Sequence, residues 1–322
     1  RRPPRSTLFP YTSSSDLLFS CKDSLDTVTS DPYTEIQKAL SINPSALENY
    51  AAQGKPAYVN KDNTGPNAIT DKAATLGRVL FYDKNLSTNN TIACASCHKQ
   101  EFAFGDTAIS SLGVENGRTE RHSMRLINTR YANEAKFFWN ERAASLEAQT
   151  TMPIVDHLEM GFSGQTGRGN ITSLLTKLNG IGYYKELFTL AYGDATITEA
   201  RMQTALAQFI RSIQSFDSKY DIGRAQVGND GAPFPNFTAQ ENAGKNLFLA
   251  PPLFNAASER IGGGFGCQGC HQAPEFDIDP NSRNNGFIGV IGSAQNDLNN
   301  TRSPSLRDIL NAAGVANTPF MH

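Results

Sequence analysis

The sequence predicts a mainly α fold with long irregular loops and little sheet, built from two similar modules. Three observations predict it. The clearest periodicity in the chain is helical, patterns alternating with a period of two are scarce, and one plan recurs: helix, loop, Cys-x-x-Cys-His. The 322 residues are 39% hydrophobic and 19% charged, enough for a sizeable core and for more than one domain. Lys and Arg number 29 against 31 Asp and Glu, a net charge of −2, which speaks against the basic field of a nucleic-acid binder. No run of 18 apolar residues occurs, so no membrane-crossing helix is expected.

Taken in order, residues 1–21 form a leader. The chain opens on Arg1 and its first dozen residues read neither as a signal peptide nor as a folded segment; they are expected to be artefactual and are set aside. Leu18-Phe19-Ser20-Cys21 resembles a lipobox, which makes Cys21 a candidate lipid anchor; the plain alternative is a free thiol. Residues 22–69 are an N-terminal extension. The first module, 70–190, starts with a helix from Thr70-Asp71-Lys72 through Leu76, Val79 and Leu80 to Phe81-Tyr82, and a polar loop from Ser87 to Thr91 then leads into Cys94. In the second module, 191–322, Thr198 to Phe216 is the clearest helix. Met202, Leu206, Phe209, Ile213 and Phe216 recur at spacings of three and four, with Arg201, Gln208, Arg211 and Ser215 mostly on other faces. Thr238-Ala239-Gln240-Glu241 is a capping box that opens a further helix through Leu249, and the Gly-rich loop Gly262 to Gly266 delivers Cys267. Long loops at Gly223 to Asn236 and Pro280 to Asn300 suit a fold organised around a cofactor. The chain stops at Pro319-Phe320-Met321-His322 with no capping element, and is expected to be open at that end.

Cys94-Ala95-Ser96-Cys97-His98 and Cys267-Gln268-Gly269-Cys270-His271 carry the attachment pattern for c-type haem. Two thiols three residues apart match the two vinyl groups of the porphyrin edge, and the following His reaches beneath the ring as the proximal iron ligand. A redox dithiol or a zinc site would use the Cys pairs, but neither explains a His directly after both. Two covalent haem c groups are therefore expected, on Cys94, Cys97 and His98 and on Cys267, Cys270 and His271. Maturation then takes place outside the cytoplasm, in the periplasm.

A further stretch narrows the class. Phe137-Phe138-Trp139-Asn140-Glu141-Arg142-Ala143-Ala144, Glu147-Ala148-Gln149, Pro153 and Glu159-Met160-Gly161 follow one another in order, with Ser303-Pro304-Ser305-Leu306-Arg307 downstream. Over residues 70–322 the chain resembles the bacterial di-haem cytochrome c peroxidase and MauG family, which implies two cytochrome c-like haem domains. By that resemblance the His98 haem is peroxidatic and the His271 haem supplies electrons. Glu159 is the acid/base, Gln149 orients peroxide, Pro153 keeps the distal face open, and Trp139 helps an electron pass between the haems. Arg142 would pair with a haem propionate or with the scaffold. Glu147 is the nearest rival to Glu159, and His157 reads as a structural His near the pocket. The loop His that blocks the peroxidatic iron in some members falls here on Val114, so that iron is expected to be open; His122 is the only nearby substitute. The family's inter-domain Ca2+ uses an Asn near the position of His122, which puts that site in doubt, although carbonyls around Arg302 and Pro304 could contribute. The second axial ligand of the His271 haem is expected beyond residue 322, with Met321 the local alternative.

The function implied is reduction of hydrogen peroxide to water with electrons from a small cytochrome c or cupredoxin, by a monomer or a homodimer. Rival readings are a MauG-like oxidase acting on a protein Tyr or Trp, and a di-haem electron carrier with no enzymatic role.

Overall fold

The computed structural model describes residues 32–133, 136–277, 289, 294, 296, 302–311 and 313–317. Among them the helices run α1 (Thr34–Leu40), α2 (Asp71–Tyr82), the single turn α3 (Cys94–Cys97), α4 (Leu146–Val155), α5 (Ile171–Asn179), α6 (Gly182–Tyr192), α7 (Glu199–Ser212), α8 (Lys219–Arg224) and α9 (Ala239–Leu249). One antiparallel pair, β1 (Pro252–Phe254) with β2 (Arg260–Gly263), is the sheet of the described residues. The mainly helical expectation with little sheet is met. The hairpin sits in the Gly-rich approach to Cys267, where no period-two alternation marked it. Cys21, Met321 and His322 lie outside the described residues, as does nearly all of the loop from Pro280 to Asn300.

Helix starts follow the side chains that can cap them. The Thr70 hydroxyl accepts the Ala73 N–H at 3.2 Å, the Thr198 hydroxyl accepts that of Arg201 at 3.2 Å, and Thr238 and Glu241 form the expected capping box on α9. The Glu186 carboxylate on α6 accepts from Glu35 and Ile36 at the start of α1, at 3.0 and 2.9 Å, a negative charge placed against a helix N-terminus. Tyr183 and Tyr184 of α6 both donate to Asp83 at the end of α2, each at 2.7 Å.

The main core lies where α2 crosses α7, with α6 and α4 packed around them. Leu76, Leu80 and Phe81 of α2 meet Met202, Leu206 and Phe209 of α7 in one buried cluster. The crossing is close because Gly77 has no side chain: a Cβ there would stand 2.0 Å from the Ala205 carbonyl oxygen. Backbone this near backbone extends the dispersion contact over both helices.

The predicted long helix is corrected at its C-terminal end and on its polar side. It stops at Ser212; Ile213 turns to an extended conformation (ψ 106°) and Phe216 falls outside it. Asn128 imposes the ending. Its N–H donates to the Ile213 carbonyl at 3.0 Å, its amide nitrogen donates to the Ser215 carbonyl at 2.9 Å, and its amide oxygen accepts the Ser215 N–H at 2.9 Å. Phe216 packs against Tyr131 instead, ring centroids 5.1 Å apart. Gln208 and Arg211 are buried. Gln208 donates to Asn67 (2.8 Å) and accepts from the Thr70 N–H (2.8 Å), while Arg211 donates to Asn63 (3.1 Å) and pairs with Glu147. The N-terminal extension thus covers the side of α7 that its polarity marked as outer.

Candidate functional site

The first Cys-x-x-Cys-His segment is wound into α3, and the His98 N–H closes the turn on the Cys94 carbonyl at 2.9 Å; the second repeats it, His271 to Cys267, also at 2.9 Å. The segment after each His folds back into an antiparallel bridge, Lys99 with Gly105 and Gln272 with Asp277. The repeated plan is therefore structural as well as sequential.

His98 is oriented by its own loop. Its Nδ1 lies 3.0 Å from the Phe104 carbonyl, which fixes the proton on that nitrogen and leaves the Nε2 lone pair as the ligating position. Burial pushes the Cys94 thiol up to about 12 and the Cys97 thiol up to about 11. All four Cys of the two segments are unpaired.

Cys94, Cys97 and His98 open onto a cavity of about 570 Å³, within the usual range for cofactor sites. Gln149, Pro153 and Glu159 line the same cavity, as do Trp139 and Arg142. The structure therefore assembles the predicted distal residues around the first His. Their placement has local causes. Ser145 caps α4 by accepting the Ala148 N–H at 3.1 Å, and Gln149 and Pro153, four residues apart, share one helix face. Pro153 has no N–H to return to the Gln149 carbonyl, so the ladder of α4 is interrupted at the cavity wall. The chain then reverses: the Asp156 carboxylate accepts the N–H groups of Leu158 (2.8 Å) and Glu159 (3.0 Å), and Gly161 adopts φ +87°. The Glu159 carbonyl accepts the Val114 N–H at 2.9 Å, so the backbone carrying the carboxylate is held from both sides.

Glu159 is electrostatically unusual. Burial first, then the negative charge of Asp156, raises its carboxyl from 4.5 to about 7, against the lowering effect of Arg142. Sequence reasoning singled out Glu159 but missed Asp156 as the group that both caps its turn and adjusts its proton affinity. The Asp-x-x-Glu spacing before a Gly at positive φ was the available signal.

Residues 71–227 match the family model described as di-haem cytochrome c peroxidase. Residues 71–227 belong to this family. The chain is 29% identical to the methylamine utilization protein MauG of Methylophilus methylotrophus over 80% of this chain and 69% of that one. It is 28% identical to MauG of Methylorubrum extorquens, covering 80% and 66%, and 28% identical to the cytochrome c551 peroxidase of Nitrosomonas europaea, covering 69% and 57%. Among solved structures it is similar to a MauG-like protein associated with microbial copper homeostasis. The TM-score there is 0.62 and the identity 26%, over 83% of this chain and 77% of that one.

Family membership implies haem, and the residues present fit it. A cavity of suitable size, two thiols three residues apart on its wall and an imidazole with one nitrogen pinned are what covalent attachment and axial ligation require. After the second segment a smaller cavity of about 340 Å³ is lined by Phe237, Phe248, Leu249, Ala273 and Phe276 together with Glu241 and Lys245; it touches the loop that follows His271 and not Cys267, Cys270 or His271 themselves.

The remaining family positions sort by their partners. Trp139 is 6% exposed; its indole N–H donates to the His122 carbonyl at 2.7 Å and its carbonyl accepts the Arg302 N–H at 2.8 Å. It thus joins the loop of the first segment to the C-terminal segment. The His122 ring is buried with Nδ1 2.9 Å from the Ala108 carbonyl, an anchored position. Val114 is buried in the turn against Glu159. Arg142 stacks over Phe138, 3.5 Å from the ring centroid, and donates to Asn140 at 3.0 Å. Glu147 pairs with Arg211 and accepts from Asn67, a scaffold role. His157 bonds Ser163 at 2.9 Å. Among the described residues no group of three or more His, Cys, Asp or Glu is gathered as a metal site, and no helix is long and apolar enough to cross a membrane.

Proposed function

We propose that the protein is a di-haem peroxidase that reduces hydrogen peroxide to water, H2O2 + 2 H+ + 2 e− → 2 H2O, with electrons from a small cytochrome c or a cupredoxin. The observation that carries this reading is Glu159: a carboxyl raised to about 7, on the wall of the cavity that Cys94, Cys97 and His98 open onto.

Bound at His98, haem supplies the redox-active iron to which peroxide is delivered. The chain's own contributions follow from the geometry. Near neutral pH Glu159 exists in both protonation states, so it can take the proton from incoming peroxide and return it to the departing oxygen. The Gln149 amide, on the same wall, orients the peroxide oxygens, and Pro153 puts a ring with no hydrogen-bonding group on that wall, shaping it and keeping it open. The Phe104 carbonyl at His98 Nδ1 increases the basicity of Nε2. Trp139, buried between the His122 carbonyl and Arg302, lies on the path proposed for electrons arriving from the His271 haem. Val114, unable to ligate iron and locked against the Glu159 turn, supports a first site that is open without prior reduction. We assign residues 70–190 to the peroxidatic haem and 191–322 to the electron-supplying haem, and place the protein in the periplasm because haem attachment occurs there.

A MauG-like oxidation of a protein Tyr or Trp is the second reading, favoured by the likeness to MauG proteins. One experiment separates the two. The fully oxidised holoprotein is mixed with peroxide and a reduced small cytochrome c in a stopped-flow spectrometer. Rapid donor oxidation that disappears in Glu159→Gln supports the peroxidase. A peroxide-induced spectral change that persists while the donor stays reduced supports the MauG-like reading. Absence of either, in the oxidised and the half-reduced protein alike, refutes both.

A further inference from the structure

We infer that Lys61, on the N-terminal extension, is a positioning residue for the second haem: its ammonium compensates two buried carboxylates of the loop that follows His271 and keeps the reduction potential of that haem up. The inference rests on the two-haem reading above.

The loop is tightly closed. Gln272 donates its N–H to the Asp277 carbonyl at 2.7 Å and Phe276 donates to the Gln272 carbonyl at 2.5 Å. Two of its side chains are buried acids, Glu275 at 3% and Asp277 at 8% exposure, and both also border the cavity of the first segment. Lys61 Nζ meets the loop at three places: Glu275 Oε2 at 3.4 Å, Asp277 Oδ1, and the amide oxygen of Gln272 at 3.2 Å. Backbone takes up the other oxygens, with the Asn60 N–H on Glu275 Oε1 at 3.1 Å and the Asn133 N–H on Asp277 Oδ2 at 3.2 Å. Arg307 also meets this loop, but through backbone. It donates to the Pro274 and Glu275 carbonyls, but its charge goes to both oxygens of Asp221 at 2.6 Å. The Lys61 ammonium thus faces two buried carboxylates, where charges are weakly screened.

The first module shows what Lys61 replaces. There the residue after the haem His is Lys99, which pairs with buried Asp106 of its own loop at 2.8 Å. The equivalent bridge position in the second module is Gln272, a neutral residue. The cation that the loop lacks is brought in from 211 residues away and bonds that same Gln272. Iron gains positive charge on oxidation, so uncompensated negative charge beside its ligand loop favours the oxidised state and lowers the potential.

The test is spectropotentiometric titration of the holoprotein in alkaline buffer, with haem content per chain measured on each sample. Lys61→Met is expected to lower the potential of one haem and leave the other in place, with two haems retained. Lys61→Arg is expected to keep both potentials. Lys61→Met combined with Asp277→Asn, which removes one charge of each sign, is expected to return the lowered potential toward its original value, and so keeps the test open should Lys61→Met alone fold poorly. Asn63→Ala loosens the same extension, whose side chain bonds the Thr129 carbonyl at 2.8 Å, without altering charge, and is expected to leave the potentials unchanged. Two haems with unchanged potentials in Lys61→Met, or an Asn63→Ala shift equal to that of Lys61→Met, overturns the inference alone. A single haem per chain in the unmodified protein overturns the two-haem reading and the inference with it.

Discussion

Replacing Glu159 with Gln removes one ionisable group from the cavity wall while keeping its shape, and the consequences can be worked from its surroundings. Burial and the charge of Asp156 raise the carboxyl from 4.5 to about 7. The folded protein therefore holds this proton across a range in which the unfolded chain has released it. Below about pH 4.5 both states are protonated and the site costs nothing; stability then declines as pH rises, and above about 7 the whole cost stands. A shift of that size corresponds to roughly 3 kcal/mol, which partial solvation at the cavity mouth brings down to about 1–3 kcal/mol. Glu159→Gln is thus expected to be the more stable protein at about pH 8 by about 1–3 kcal/mol and equal to the original near about pH 4. Peroxide turnover should fall by about 10²–10⁴, the usual worth of a positioned acid/base, and the pH–rate limb centred near 7 should vanish. Thermal melts of the two holoproteins at both pH values, with stopped-flow traces across the range, give both quantities. A stability difference independent of pH, or a pH–rate limb surviving in Glu159→Gln, would falsify the assignment of the raised carboxyl to this residue.

Three further outcomes follow from the same structure. Asp156→Asn keeps an oxygen to accept the Leu158 and Glu159 N–H groups but removes the charge, so the pH–rate midpoint should move down, whereas Arg142→Leu should move it up; stopped-flow pH profiles read both. Gly77→Ala places a Cβ 2.0 Å from the Ala205 carbonyl oxygen, so α2 and α7 must separate, at a cost of about 1–3 kcal/mol or more in urea unfolding. Glu147→Gln breaks the ion pair with Arg211 and should lose about 1–3 kcal/mol of stability while peroxide turnover stays near the original level, because its partners are scaffold groups; a large loss of turnover would make it the acid/base instead of Glu159.

What could be read from the chain alone was whatever is decided within a few residues. The starts of α2, α7 and α9 were legible because Thr70, Thr198 and Thr238 cap their own helices. The haem segments were legible because three-residue spacing is itself the chemistry. The end of α7 was not, because Asn128, far back in the chain, pulls Ile213 and Ser215 into its own hydrogen bonds. The burial of Gln208 and Arg211 was hidden for the same kind of reason. Their polarity marked an outer face, yet Asn63 and Asn67 of the extension, with Thr70 where it joins α2, bring matching donors and acceptors across it. The distal site lies between these cases. Gln149 and Pro153 share a face by helical geometry, whereas Glu159 reaches the cavity through a reversal that depends on the Asp156 carboxylate and on positive φ at Gly161.

The extension connects these observations. Residues 58–70 are coil with no core of their own, and periodicity gave them no role. In the structure their side chains meet polar groups that the helical modules leave buried: Tyr58 on Asp221 at 2.6 Å, Lys61 on the loop after His271, Asn63 on Arg211 and Asn67 on Gln208. A buried polar group without a partner costs about 1–3 kcal/mol; Arg211 and Asp221 keep Glu147 and Arg307, whereas the acids of the Glu275–Asp277 loop would lose the Lys61 ammonium without this segment. The repeated helix–loop–Cys-x-x-Cys-His plan could supply its own compensation once, through Lys99 and Asp106. At the second copy the Lys has become Gln272 and the charge comes from outside the repeat. Two sites that share one local geometry are made electrostatically different by a strand of coil that belongs to neither.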